Sequence, residues 1–309
     1  MSDKIELFRK NFYQEYNTSL APFLKNYEPV RKKYLRTVIL WDIFLLVIYI
    51  YFFIVSLLEK ANILLLFAIT VLTFIVPLVA IYAYEKKSFE KEIKENIMKN
   101  ICKCFKGFHW YPKYPLSHKL FVEAGLIKDF DFVSEDDVFI GKYNDVNIAI
   151  VEAYYDKGSG RGRHSVFNGI IIKLDMNKNF KSHTILAPTS FLKKSPLVTL
   201  SRTELEDVVF EKEYDVFTDD PVEARYILNP KFIEKIKNIK NTFKRKNLRC
   251  VFYKKSLFIA MPSITGDLFS IGSLIKPTND SKQFATLLNQ FIAIIELVEY
   301  LELNKKAIL

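Results

Sequence analysis

Residues 38–84 read VILWDIFLLVIYIYFFIVSLLEKANILLLFAITVLTFIVPLVAIYAY, and this stretch decides how the rest of the chain folds. Its two apolar runs are separated only by residues 59–62, which include one glutamate and one lysine. At a rise of about 1.5 Å per residue, each run forms a helix about 30 Å long, the thickness of a bilayer's hydrocarbon core. Both runs are apolar on all sides, whereas a surface helix of a soluble protein is apolar on one face. The stretch therefore predicts a transmembrane hairpin of two helices.

Basic residues flank the hairpin and predict its orientation. Four precede the first run and four follow the second: Arg31, Lys32, Lys33, Arg36, Lys86, Lys87, Lys91 and Lys94. The short connection between the runs carries a single lysine beside a glutamate. Because basic flanks stay on the cytoplasmic side, we expect both termini in the cytoplasm. The expected location is the inner (cytoplasmic) membrane, in a multi-pass protein with two spans.

The hairpin divides the chain into four expected parts. Residues 1–36 are a cytoplasmic N-terminal helical segment, 37–84 the transmembrane hairpin, 85–106 a helical stalk and 107–309 a cytoplasmic α+β domain. The stalk is expected because an apolar residue recurs at every fourth position from Phe89, which gives a helix one apolar face.

Composition restricts the partners and the cysteine chemistry. The chain has 309 residues and a formal net charge of +10. Much of the positive charge lies beside the hairpin, where an anionic leaflet explains it more simply than nucleic acid does. Cys102, Cys104 and Cys250 are an odd number in a domain expected to be cytoplasmic, so free thiols are expected.

The soluble part alternates short strand patterns with turns and ends in helical patterns. Strands are expected at 138–143, 146–155, 166–174, 184–187, 248–253 and 256–261, and helices at 117–126, 220–228, from 230 and from 280. Residues 110–115, which contain two prolines, are interpreted as a linker. The predicted class is α+β, with a mainly antiparallel sheet and flanking helices.

The sequence contains no established catalytic or metal-binding pattern. Its four histidines fall at no metal-ligand spacing, and a P-loop, a G-x-S-x-G segment and a Rossmann glycine pattern are all missing. The acidic pairs Asp136–Asp137 and Asp219–Asp220 could hold a cation or perform acid–base chemistry. Since adjacent carboxylates usually face different ways, turns and helix caps are the simpler interpretation. We therefore expect no metal and no cofactor.

The loop at 157–164, KGSGRGRH, is the strongest candidate for ligand binding. Its glycines allow backbone amides to converge on an anion, and Lys157, Arg161 and Arg163 add positive charge. A solvated hairpin tip would have the same composition. The loop is consistent with a site for a lipid headgroup, a nucleotide or an acidic protein.

A second distinctive segment, residues 205–228, reads LEDVVFEKEYDVFTDDPVEARYIL. Together with Phe167-Asn168-Gly169, it resembles a family of bacterial membrane-anchored proteins known only as a domain of unknown function. The order of elements is also similar over most of the chain. The resemblance implies a bacterial membrane protein with a soluble α+β domain and implies no activity.

The acidic part of this segment has two interpretations. Asp220, followed by a proline and by Glu223, has the pattern of a helix start, and Arg225 is expected to pair with a nearby acid such as Asp219 or Glu223. A structural role therefore explains the motif. The alternative is a membrane-tethered enzyme that uses Asp219 or Asp220 with Arg225 on an anionic substrate.

The leading hypothesis is a non-enzymatic, membrane-anchored cytoplasmic binding or scaffolding module. Its expected partners are the lipid bilayer and either anionic lipid or an acidic protein, and nucleic acid is not expected. Self-association through the membrane helices or the C-terminal helix is a further expectation, because the apolar residues of that last helix follow a heptad-like pattern.

Overall fold

The chain was analysed as a computed structural model, which describes residues 3–58, 63–176, 179–189, 200–205, 211–263 and 273–303. It divides into two compact units. Unit 1 comprises Met1–Gln14, Ile101–Phe269 and Phe284–Leu309, and unit 2 comprises Glu15–Asn100 and Ser270–Gln283. The connection predicted at 59–62 lies outside the described residues.

Helices occupy the N-terminal third of the chain, and strands and helices share the rest. The α-helices are α1 (Asp3–Glu15), α2 (Ala21–Lys25), α3 (Glu28–Leu58), α4 (Ile63–Thr70), α5 (Val76–Cys104), α6 (His118–Glu123), α7 (Pro221–Ile227), α8 (Pro230–Thr242) and α9 (Lys282–Leu303). Short π-helical turns occupy Tyr16–Leu20 and Val71–Ile75. The strands are β1 (Phe108–Tyr111), β2 (Phe132–Tyr143), β3 (Val146–Lys157), β4 (His164–Asp175), β5 (Thr184–Pro188), β6 (Ser201–Thr203), β7 (Tyr214–Thr218), β8 (Arg249–Tyr253) and β9 (Ser256–Pro262). The predicted α+β class is confirmed.

Three described helical stretches are long and apolar enough to cross a membrane: Glu28–Ser56, Leu66–Cys104 and Phe284–Glu302. In their most apolar windows, 11%, 0% and 67% of the residues are buried, respectively. The first two stretches expose large apolar side chains, including Leu40, Trp41, Phe44, Val47, Tyr51, Phe67, Leu72 and Val79. An apolar surface of this extent is consistent with association with a membrane, whereas most of the third stretch, in α9, is buried.

The first turn of α3 is held by an ion pair within unit 2. Arg31 donates to Glu28 from Nε and Nη2 at 2.9 and 2.6 Å, and from Nη1 to the Leu274 carbonyl. The backbone N–H of Thr278 donates to Glu28 Oε2 at 3.2 Å. Arg31 is only 6% exposed, so this residue of the predicted membrane flank forms a buried tie between α3 and residues 273–283.

The segment predicted as a stalk is helical as far as Cys104, as part of α5. Its apolar face is buried at Phe89, Ile93 and Ile97. Within unit 2, the Tyr34 ring packs 5.9 Å from the Phe89 ring, between centroids, and the Tyr34 hydroxyl donates to a carboxylate of α5 at 2.6 Å. The helix is therefore packed along its apolar face.

Unit 1 is built around a nine-stranded sheet with the order β1-β2-β3-β4-β9-β8-β5-β7-β6. Every pair of neighbouring strands is antiparallel, which confirms the predicted arrangement. The edge strand β1 was not expected, because residues 110–115 were interpreted as a linker. Trp110 is buried and pairs with Phe139 in the ladder. The packing of this side chain stabilises a strand directly before the two prolines that had suggested a linker.

Both faces of the sheet are covered. One face carries a buried cluster with α6 and the turn after it; its larger members include Phe121, Leu126, Val138, Val151, Tyr155, Phe167, Ile171 and Phe258. On the other face, the Phe291 ring of α9 stacks on Phe105 at 4.1 Å between centroids and meets Phe108 and Phe139 edge-on at 5.1 and 5.5 Å. Burial on two sides explains why strands such as β9 are almost continuously apolar.

Candidate functional site

The loop between β3 and β4, predicted to bind anions, has acidic partners for two of its basic side chains. Lys157 forms an ion pair with Asp129 and lies 3.7 Å from Asp131 Oδ1. Arg163 donates from Nε and Nη2 to Asp156 Oδ2 at 2.9 and 2.7 Å. Sequence spacing did not reveal Asp129 and Asp131 as partners, because they lie just before β2 and reach the loop through the fold.

The remaining groups of this loop contribute little to an anion site. The Gly158 N–H, a candidate anion ligand, donates to Asp131 Oδ2 at 2.7 Å, and the Arg163 guanidinium lies 4.8 Å above the Phe132 ring. Arg161 is exposed and has no ion-pair partner among the residues that the structure describes. Since the loop is largely neutralised from within, its attraction for an external anion is weak.

The acidic motif begins α7, as its sequence predicted. Asp220 Oδ1 accepts hydrogen bonds from the backbone N–H groups of Val222 and Glu223 at 2.9 and 3.1 Å, which makes Asp220 the N-cap. Pro221 occupies the first helical position, where its missing N–H has no cost. Residues 206–210, earlier in the same segment, lie outside the described part of the chain.

The other charged residues of the motif also bind the backbone. Asp219 Oδ1 accepts from the His183 N–H at 2.8 Å, and Glu223 Oε1 accepts from the Lys181 N–H at 3.0 Å. Both bonds tie the start of α7 to the segment that enters β5. These two carboxylates of the motif therefore hold the start of α7 against the segment that precedes β5.

Arg225 does not form the ion pair that was expected of it. Its Nε donates to the Glu204 carbonyl at 3.4 Å, and the structure records no ion pair between Arg225 and Asp219, Asp220 or Glu223, all of which it describes. The arrangement gives no support to an enzyme that uses an aspartate with Arg225 as a reacting pair.

A buried acidic cluster lies within the sheet at Asp136, Asp137 and Glu152. One ligand atom from each residue lies within 4.8 Å of the others. Asp137 and Glu152 are neighbours across β2 and β3, and both are 0% exposed. The interpretation of Asp136–Asp137 as a turn or cap is wrong: a bulge between Glu135 and Asp137 breaks the strand alternation, which brings adjacent carboxylates close to Glu152.

Polar neighbours stabilise the two buried carboxylates of this cluster. The Trp110 Nε1–H donates to Asp137 Oδ1 at 2.7 Å, and the Tyr154 hydroxyl donates to Glu152 Oε1 at 3.0 Å. Within the described residues, these three carboxylates are the group that could hold a metal, and an all-oxygen set suits a hard cation such as Mg²⁺ or Ca²⁺. The donors from Trp110 and Tyr154 offset part of the cost of burying these two carboxylates.

A cavity of about 590 Å³ lies at the end of β5, beside the start of β7 and the loop between α8 and β8. We call it the Arg245 cavity. It is lined by Pro188, Thr189, Glu213, Tyr214, Lys240, Arg245, Lys246 and Asn247. Three of these residues are basic and one is acidic, so the cavity is positively charged.

Burial changes the titration of two groups that line the Arg245 cavity. It raises the pKa of Tyr214 to about 12, so the phenol remains neutral at physiological pH. Burial lowers the pKa of the Arg245 guanidinium, and the negative charge of Glu152 opposes that effect. Arg245 therefore connects the cavity electrostatically to the buried acidic cluster.

Sequence reasoning missed the Arg245 cavity, because its lining comes from three separate segments. The local signal was the run Lys244-Arg245-Lys246-Asn247, which follows Phe243, the residue directly after α8. Basic residues after a helix are commonly interpreted as favourable to the helix dipole, so this run did not indicate a cavity.

Comparisons with known proteins give a family for part of the chain. The crystal structure of the mycobacterial trehalose monomycolate transport factor A, TtfA, is similar over 58% of this chain and 92% of that chain, with 10% sequence identity and a TM-score of 0.29. Similarity at this level carries no argument about fold or function. No curated protein matches the chain. Residues 165–303, less than half of the chain, match the model of a family described as "Protein of unknown function (DUF3137)".

Proposed function

We propose that this protein is a membrane-anchored binding module without enzymatic activity. The observation that carries the proposal is the outward-facing apolar surface of α3 and of the stretch Leu66–Cys104, together with their near-complete lack of burial in the most apolar windows. A chain with such a surface gains free energy by placing it in hydrocarbon, at about 25 cal/mol per Å². The anchor therefore keeps the soluble part at a membrane.

The proposed topology has two spans and both termini in the cytoplasm of a bacterial cell, at the inner membrane. The basic residues Lys32, Lys33 and Arg36 before the first span, and Lys87 and Lys91 after the second, favour this orientation. The α9 helix is assigned to the soluble part rather than to a third span, because its Phe291 stacks within unit 1.

A binding role fits the chemistry of the soluble part better than catalysis does. The acidic motif is used for a helix cap and for backbone ties, while the positively charged Arg245 cavity offers a place for an anionic ligand. Anionic lipid remains a proposed partner of the basic membrane flanks, with about 1 kcal/mol for each basic residue near the surface. An acidic protein partner and self-association through the membrane helices are further proposals.

Alkaline carbonate extraction of membranes from cells that express the full chain tests the anchor. We expect the protein to stay in the membrane pellet at high pH and to enter solution only with detergent, because the loss of ionic contacts at high pH does not remove an apolar helix from the bilayer. A peripheral membrane protein of the same cells serves as the control for release. Release of this chain by carbonate alone would contradict the membrane anchor.

A further inference from the structure

The Arg245 cavity carries excess positive charge. Lys240 Nζ lies 3.6 Å from the carboxylate of Glu213, so these two charges balance. Arg245 and Lys246 remain, and no described residue forms an ion pair with Lys246, which is exposed. Glu152 of the buried acidic cluster offsets part of the Arg245 charge, and the cavity keeps a net positive charge that attracts an anion.

Two hydrogen-bond donors at the wall of this cavity are unmet. Arg245 Nε and Thr189 Oγ1 are buried, and neither has a hydrogen-bond partner in the part of the chain that the structure describes. Thr189 is held in place by its own backbone N–H, which donates to the Glu213 carbonyl at 3.2 Å. Since a buried donor without a partner is costly, an acceptor that reaches either group is favoured. Oxyanions have several acceptor oxygens.

The position of Arg245 is fixed from two sides. Its backbone N–H donates to the Lys240 carbonyl at 2.9 Å, across a turn in which Lys244 has a φ of 52°. Its Nη1 donates to Ser263 Oγ at 2.9 Å, and the Ser263 N–H donates to the Asn168 carbonyl at 2.7 Å. The Phe167-Asn168-Gly169 segment therefore helps to position the guanidinium, and a preorganised fork suits a tetrahedral oxyanion.

We propose that the Arg245 cavity binds the phosphate group of a small phosphomonoester. The net positive charge favours an anion, and an arginine beside Thr189 and Asn247 offers several donors, which suit the several acceptor oxygens of a phosphate better than the two of a carboxylate. The cavity's volume of about 590 Å³ falls among those of small-molecule sites and leaves room for the organic part of the ligand. This inference rests on the proposed function, since it names the ligand class of that binding module.

The test uses the full chain in micelles of a neutral detergent, with inorganic phosphate and glycerol 3-phosphate as probes in isothermal titration calorimetry. Ionic strength is matched with chloride. We expect saturable binding of glycerol 3-phosphate, and we expect Lys246→Glu to weaken it at least about tenfold because an attraction becomes a repulsion. The matched control Lys231→Glu reverses the same charge at an exposed position on α8 outside the cavity lining, so its affinity should equal that of the wild type.

A second variant separates the shape of the donor group from its charge. Arg245→Lys keeps the positive charge and removes the planar fork, so weaker phosphate binding with an unchanged melting temperature is expected. Micelles that contain phosphatidic acid, compared with phosphatidylcholine, distinguish a lipid phosphate from a soluble one. Competition by glycerol 3-phosphate against phosphatidic acid would assign the lipid source, and binding of glycerol 3-phosphate alone would assign a soluble ligand.

Two results would overturn the inference: no saturable phosphate binding beyond the chloride control, or equal affinities for Lys246→Glu and Lys231→Glu. Neither result bears on carbonate extraction. If the chain stays in the membrane but does not bind phosphate, the proposed ligand class is wrong and the proposed membrane anchor is unaffected.

Discussion

Replacing Gly169 by alanine is expected to lower the free energy of unfolding by about 3 kcal/mol or more, a large share of the stability of a typical domain. A Cβ atom at this position would lie 2.2 Å from the Met261 carbonyl oxygen and 3.0 Å from the Pro262 Cα. Both are backbone atoms of β9, which pairs with β4 at this point of the sheet. The strands would have to separate, because neither atom belongs to a flexible side chain.

The matched control is Gly162→Ala, at a position where an added Cβ meets no atom within 4 Å. We expect that change to stay within about 0.5 kcal/mol of the wild type. Thermal unfolding of the full chain in detergent, followed by the fluorescence of buried Trp110, measures both variants. Equal melting temperatures for the two alanine variants would contradict the pairing of β4 with β9.

Replacing Phe291 by alanine is expected to cost about 3–5 kcal/mol, as is usual when a large aromatic side chain is removed from a core. Phe291 is 1% exposed and lies among the rings of Phe105, Phe108 and Phe139. The change would leave a cavity between α9 and the sheet. Denaturant unfolding in detergent measures the loss.

Thr286→Ala is the control on the same helix, because Thr286 is exposed and its replacement leaves the core intact. Its free energy of unfolding should equal that of the wild type or slightly exceed it, since alanine favours helices. If Phe291→Ala behaved like Thr286→Ala, α9 would not be a core helix, and its assignment to the soluble part would be wrong.

Local patterns in the sequence were sufficient for most elements of the fold. The alternation of apolar residues predicted β3 and β4 to within two or three residues at each end, and the Asp220-Pro221 pair predicted the start of α7. These features depend on neighbours in the sequence, where backbone geometry and capping act. The long apolar runs at residues 38–84 were equally clear, because a candidate membrane span is recognised from its length and its apolar composition alone.

Features that depend on long-range packing could not be predicted. The strand β1 is stabilised by the burial of Trp110 and by its bond to Asp137, 27 residues away. The bulge that brings Asp136 towards Glu152 has no local signature, and the acids that neutralise Lys157 reach it through the fold. The Arg245 cavity could not be predicted for the same reason. Its lining residues are distant in the sequence, and the fold brings them together.

Cysteine labelling of intact cells is the most direct test of a membrane anchor whose soluble part lies in the cytoplasm. The native Cys102, Cys104 and Cys250 are free but buried, so they contribute little background. We place one new thiol in the predicted connection, Asn62→Cys, and one on the exposed surface of α8, Lys231→Cys. A membrane-impermeant maleimide should label Asn62→Cys in intact cells, and Lys231→Cys only after the membrane is permeabilised. Labelling of Lys231→Cys in intact cells, with Asn62→Cys protected, would contradict the account.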